Sequence, residues 1–414
     1  MQRARSQLLQ EGLLQRFLRY VQVDSPSAEG AADVPSTPEQ WEMARLLFGE
    51  LQALGLSGVT LSEHGIVTAT LPGPAGAPVV GLLAHYDTFP GVPGKGVRPL
   101  VHRRYAGGDI PLPAGPVLSP RDHPALARCI GQDVITSDGS TLLGADDKAG
   151  VAEVMEVLCR LIREPGRPRP TVRVAFTPDE ETGRGIGYLD VATWGCTAAY
   201  TLDGSEPGEI SGENFDAANG LVVIEGRSSH TGTARGKLIN AVRLAAELVT
   251  SVPATLLPET TEGREGFIHV DAIEGNMERV TLKIALREFT LEGLGRLRTL
   301  VEEACRGLEL RYPGSRARFE VTGGYANMAR KLEERPEVME LAREAVRRAG
   351  LEVIERPIRG GTDGARLTEQ GLPTPNLFTG GMNYHSRTEW ACAQWMEQAV
   401  DVVLRLLELW ATRQ

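Results

Sequence analysis

The 414-residue sequence is poor in cysteine, has no long apolar run and carries no block of basic residues. Its five cysteines (Cys129, Cys159, Cys196, Cys305 and Cys392) are odd in number, widely spaced and never in a CxxC pair. That pattern excludes a dense disulfide frame and a thiolate zinc site, and fits reduced thiols in the cytoplasm. No stretch approaches the ~20 consecutive apolar residues that span a bilayer, so no membrane association is expected. A net charge of −10, with no basic stripe interleaved with aromatics, argues against nucleic acid as a partner. GxxxxGK is absent, which removes a phosphate-binding loop of that kind. There is no internal repeat and no low-complexity tract. What is present is ordinary for a globular protein: 42% hydrophobic and 24% charged residues. At ~150 residues per domain the length suits two or more domains.

The first residues read as an amphipathic helix packed on the core. Leu9, Leu13, Phe17 and Val21 recur at helical spacing with charges between them, and no continuous apolar segment follows as in a targeting peptide. Further on, short apolar runs end at polar residues: 79–84 at His85, 172–176 before Thr177-Pro178-Asp179-Glu180-Glu181, and 198–202 at Asp203. Between the first two, residues 148–163 place Val151, Val154, Met155, Leu158, Leu161 and Ile162 on one helical face. Apolar runs joined by helical crossovers predict an α/β fold with a mostly parallel sheet covered by helices. In such sheets ligands bind beyond the carboxyl ends of the strands.

The rhythm changes between residues 214 and 324. A strand at 221–225, a helix at 238–249, strands at 266–273 and 279–286, a helix at 294–307 and a strand at 318–322 spell β-α-β-β-α-β, a ferredoxin-like order. Helix 336–349, strands 352–357 and 375–378 and a helix from about 394 then resume the α/β pattern. The expected division is a catalytic domain in two parts, 1–213 and 325–414, with an α+β domain inserted at 214–324.

Five polar sites stand at or near ends of the apolar runs. His85 and Asp87 are two apart on a strand, a spacing at which the carboxylate can orient a metal-bound imidazole; two polar loop residues would look the same. Asp146 and Asp147 open a helix, where acids are ordinary. Glu180 and Glu181 are adjacent carboxylates that repel unless a cation lies nearby; a metal would let one ligate and leave the other as a base. Asp203 precedes a glycine and suits a turn. His385 stands in a Gly/Asn/Tyr loop, where a solvated histidine is equally ordinary. Taken singly each has a bland explanation. Taken together in strand-end order, they fit a pair of divalent ions sharing a carboxylate.

Together with the segments VPSTPEQW, LLGADDKAG, VAFTPDEE, IRGGTDGA and LPTPNLFTGG, these motifs resemble the dinuclear zinc exopeptidase family that includes glutamate carboxypeptidase and succinyl-diaminopimelate desuccinylase. The resemblance covers essentially the whole chain. The IRGGTDGA and PNLFTGG segments narrow it to the tripeptide aminopeptidases of that family. It implies that Asp146 bridges two Zn²⁺ ions, one also held by His85 and Asp203, the other by Glu181 and His385, with Mn²⁺ or Co²⁺ able to use the same donors. Glu180 is then the general base and Asp87 the residue that orients His85. His230, Arg287, Asn327 and Arg359 are implied as substrate contacts, Arg359 as a clamp for a terminal carboxylate. Asp363 reads as structural.

The same resemblance implies a cytoplasmic homodimer acting on short peptides, mainly tripeptides, with the inserted domain as lid and dimer contact. A dipeptidase, carboxypeptidase or N-acyl-amino-acid deacylase on the same scaffold is the nearest alternative. A binding protein that kept the fold without catalysis is a more distant one, opposed by the complete ligand set and Glu180. Two departures flank the site. Gly204-Ser205-Glu206 follows Asp203 where more glycine is expected, and Ser386-Arg387-Thr388-Glu389-Trp390 follows His385 where Gly-Lys is usual. They bear on substrate preference.

Overall fold

The computed structural model describes residues 2–413, which divide into two units. The first unit holds the described residues up to Gly212, Arg330–Arg356 and those from Thr362 on. Its 8-stranded sheet runs in the order Ser57–Leu61, Val67–Leu71, Thr171–Thr177, Val79–His85, Ala198–Gly204, Asn376–Phe378, Glu209–Ser211, Ile354–Glu355. From Thr171–Thr177 to Asn376–Phe378 the neighbours are parallel. These strands are apolar because both faces are covered: Val80, Leu82, Leu83, Val172, Val174 and Leu202 are fully buried. Helices Ala145–Arg163, Pro336–Arg348 and Ala393–Ala411 pack together beside the sheet.

The sheet is mixed, with antiparallel pairings outside its parallel centre. Val67–Leu71 is antiparallel to both its neighbours, and Glu209–Ser211 is antiparallel to Asn376–Phe378. The link 62–66 between the first two strands is too short for a parallel crossover, which fixes an antiparallel pair. A second, 4-stranded sheet joins Gly381–Met382, Trp390–Cys392, Val134–Thr136 and Leu100–His102. Strands of two or three residues carry no readable period, so the sequence did not disclose it. The expected single first helix is two, Gln2–Gln10 and Leu13–Tyr20, separated at Gly12. Only the second is anchored in the core, through Leu13, Phe17 and Tyr20.

The second unit holds Glu213–Ala329 and Pro357–Gly361. Its 4-stranded antiparallel sheet is ordered Phe267–Gly275, Arg279–Glu288, Asp216–Glu225, Arg316–Tyr325. Alternate residues Val222, Ile224, Val280, Leu282 and Ile284 face a core shared with Leu244 and Leu248 of helix Ala241–Ser251 and Leu297 and Val301 of helix Leu291–Arg311. The first of these helices begins at Ala241, three residues beyond the expected start. Ile239 pairs with Arg227 as a bridge, and the Asn240 side chain accepts from Val242 N–H as an N-cap. Pro357–Gly361 belongs to this unit although it was expected in the second part of the catalytic domain. Ile358 forms a parallel bridge with Asn214, and the Arg359 guanidinium bonds the Gly263 and Glu265 carbonyls. Among the described residues no helix is long and apolar enough to cross a membrane.

Candidate metal centre

The parallel strands bring His85, Asp87, Glu180, Glu181 and Asp203 to one end of the sheet, because Val79–His85 lies between Thr171–Thr177 and Ala198–Gly204. Asp146 comes from the N-terminal end of helix Ala145–Arg163, where it (φ −85, ψ 102) and Asp147 (φ −123, ψ 37) depart from helical geometry. His385 comes from the loop between Gly381–Met382 and Trp390–Cys392. All seven residues lie in the first unit.

Asp146 stands between the two histidines. Its Oδ1 is 2.9 Å from His85 Nε2, and its Oδ2 is 3.1 Å from His385 Nε2. Glu181 Oε1 lies 2.9 Å from the same His385 nitrogen, and Asp203 Oδ1 lies 3.8 Å from His85 Nε2. Donor atoms of Asp146, Glu181 and His385 form one metal-sized group, and those of His85, Asp147 and Asp203 another. Asp147 was read as an ordinary helix-start acid. Its Oδ2 accepts from the His85 main-chain N–H and its Oδ1 from Gly150 N–H, so both oxygens already support backbone.

Asp87 is fully buried and does two jobs. Its Oδ1 is 3.3 Å from His85 Nδ1, on the ring edge opposite Asp146. The same carboxylate accepts the main-chain N–H of Glu180 at 3.0 Å and of Glu181 at 3.3 Å. One side chain thereby fixes an imidazole and the turn bearing both glutamates. That turn is also held from below. Asp179, in a left-handed conformation at φ 54, accepts from Ser36 N–H, Ser36 Oγ and Gln40 Nε2. The VPSTPEQ segment is thus a clamp on the Glu180 turn, a function its sequence did not reveal. The Phe89 ring stacks on His385 at 4.0 Å and 4°. Asn383 binds Ser386 and Thr388, so the residues that depart from the expected sequence after His385 tie up its loop.

Burial and mutual repulsion of the carboxylates dominate the electrostatics of the cluster. Burial, reinforced by Asp203, Asp363 and Glu181, raises the Glu180 carboxyl well above its usual range despite His85. Burial and Asp146 push Glu181 up to about 7, and the same two causes raise Asp203 well up. The histidines move oppositely to what burial alone would do: bonds to Asp146 and Glu181 carry His385 to about 10. Asp146, bonded by both imidazoles, falls below its usual range although burial opposes this. Carboxylate and imidazole donors crowded this closely fit divalent ions.

The pattern of residues 141–409 matches Peptidase family M20/M25/M40. Peptidase T of Edwardsiella ictaluri is 45% identical over 408 residues, covering 97% of this chain and 98% of that one. Peptidase T of Geobacillus kaustophilus is 43% identical over 405 residues, covering 97% and 98%. The chain belongs to peptidase family M20/M25/M40. Within M20/M25/M40 its full-length likeness is to peptidase T, and it is a hydrolase of peptides. The fold agrees: the crystal structure of aminopeptidase PepT from Bacillus cereus superposes with a TM-score of 0.74 at 23% identity, covering 97% of this chain and 98% of that one.

The four expected substrate contacts all lie in the second unit. His230 is exposed, and its Nδ1 accepts from Gly232 N–H. Arg287 donates to Asn219 Oδ1 and lies over the Tyr325 ring. Asn327 is buried, bonded to the Phe289 carbonyl and to Asn214 and Ala329 N–H. Arg359 spends both terminal nitrogens on Gly263, Glu265 and Thr261 and stacks over Phe215 and Phe267. As placed here, Asn327 and Arg359 hold their own unit together. In this arrangement the Arg359 terminal nitrogens are engaged within the second unit.

Proposed function

We propose that the chain is a cytoplasmic, dinuclear metallo-aminopeptidase that removes the N-terminal residue of tripeptides. The observation that carries this reading is Asp146, with one oxygen against each of two histidines. His85, Asp146 and Asp203 would hold one ion, and Asp146, Glu181 and His385 the other. Zn²⁺ suits this mixture of imidazole and carboxylate donors, as do Mn²⁺ and Co²⁺. When bound, the ions supply Lewis acidity to the scissile carbonyl and bring the pKa of water down to ~7. Glu180 takes the proton of the attacking water and delivers it to the departing amine. Asp87 keeps His85 and the Glu180 turn in register throughout. The second unit, as lid and dimer contact, would offer His230 and Arg287 to the substrate.

A panel of free tripeptides, amino-blocked tripeptides, dipeptides and N-acyl amino acids, assayed with added Zn²⁺, tests the reading. Release of the N-terminal residue from free tripeptides alone is expected. Turnover of blocked substrates with free tripeptides left intact would replace it with the deacylase alternative.

A further inference from the structure

Glu389 lies outside every role given so far, yet its carboxylate is 1% exposed and fully engaged. Its Oε2 accepts the main-chain N–H groups of Leu143 at 2.7 Å and Gly144 at 2.8 Å, and its Oε1 accepts that of Asp146 at 3.0 Å. The first N–H groups of a helix have no carbonyl within the helix to receive them. Here a residue more than two hundred positions away receives that of Asp146, in the first turn of helix Ala145–Arg163, together with those of Leu143 and Gly144 just before it. The turn it receives is an irregular one, with Gly144 left-handed at φ 82 and Asp146 outside helical geometry. Helix formation therefore does not set the direction of the Asp146 side chain. Glu389 also sits where the His385 loop returns to the small sheet, immediately before strand Trp390–Cys392, which is paired on both edges. One carboxylate therefore joins the element that carries His385 to the turn that carries Asp146.

We propose that Glu389 is a positioning residue for the metal pair: it ties the His385 loop to the Leu143–Asp146 turn and so aims the two Asp146 oxygens at two ions at once. The inference rests on the reading of Asp146 as the shared ligand. It assigns no contact between Glu389 and substrate or metal. Partners of this indirect kind typically contribute 10- to 100-fold in metal affinity.

The substitution that isolates the effect is Glu389→Gln. An amide has one acceptor oxygen, so at least one of the three N–H groups would meet an N–H₂ in its place. Metal-free wild type, Glu389→Gln and Glu389→Ala proteins are titrated with Zn²⁺ by calorimetry, with circular dichroism and melting of the metal-free forms alongside. Glu389→Gln is expected to fold, to bind Zn²⁺ about 10- to 100-fold more weakly, and to regain kcat as Zn²⁺ is raised with KM unchanged. Glu389→Ala should be weaker still. Wild-type affinity in Glu389→Gln overturns the proposal. So does a Glu389→Gln protein that fails to fold, since Glu389 would then support the fold and not one turn. If wild type itself takes up fewer than two ions, the dinuclear reading fails instead, and the two failures are told apart in one experiment.

Discussion

Among single residues, the proposed function divides chemistry and alignment between Glu180 and Asp87. Glu180 Oε2 is 4.0 Å from His85 Nε2, near enough to the candidate ligands to meet a water between them. Glu180→Ala is expected to lower kcat by ~10²–10⁴-fold, the usual contribution of a positioned general base, with metal content unchanged. Metal analysis beside the tripeptide assay checks this; undiminished turnover would remove Glu180 from the mechanism. Asp87 has a different signature. Asp87→Asn keeps its volume but can no longer accept from His85 and both glutamate N–H groups with two anionic oxygens. A loss of about 10- to 100-fold in metal affinity is expected, read from the free-metal concentration that half-restores activity.

Elements far from the candidate metal centre hold its parts in place. Arg16, fully buried on helix Leu13–Tyr20, donates to Glu156 at 2.7 Å and so fastens that helix to Ala145–Arg163. Glu156 also accepts from Arg160 and Arg163, which limits what is lost when Arg16 goes. Arg16→Met should cost ~1.5–3 kcal/mol, the range for a hydrogen bond to a charged group, and should leave zinc stoichiometry at the wild-type value. Denaturant unfolding of the metal-free protein measures it. The clamp on the Glu180 turn behaves otherwise. Gln40 donates to Asp179 at 2.7 Å and accepts from its main chain at 3.2 Å. Gln40→Ala, which leaves a buried carboxylate short of a donor, should lose ~1–3 kcal/mol and lower kcat as well. A stability loss with kcat untouched would separate the clamp from catalysis.

For the whole molecule, metal and fold are linked. An ion that binds the folded chain at a thousand times its Kd adds about 4 kcal/mol to stability. At ~2–4 °C per kcal/mol for a large domain, a chelator should lower the melting temperature on the order of 10 °C and abolish turnover, and Zn²⁺ should restore both. Sedimentation of the metal-loaded protein against a second-unit surface variant, Leu310→Glu, tests the proposed dimer. Leu310 is 82% exposed on helix Leu291–Arg311, so a shift toward monomer would place the contact there.

The legible part of this protein was its local chemistry. Periodicity marked the buried strands and their polar ends, because a strand covered on both faces must be apolar until it emerges. The order β-α-β-β-α-β was readable because half-buried antiparallel strands alternate. The pairing of donors at the candidate metal centre was implied by resemblance; the structure sets one Asp146 oxygen against each of His85 and His385. Everything that depends on distant segments meeting was illegible. The Glu389 bonds to the Asp146 turn, the Ser36 and Gln40 clamp on Asp179, and the capture of Arg359 by Thr261, Gly263 and Glu265 join residues with no common period or motif. The sequence alone determined which side chains could carry the chemistry. Only the tertiary structure decided how they are aimed, since direction is set by hydrogen bonds between elements that chain order keeps apart.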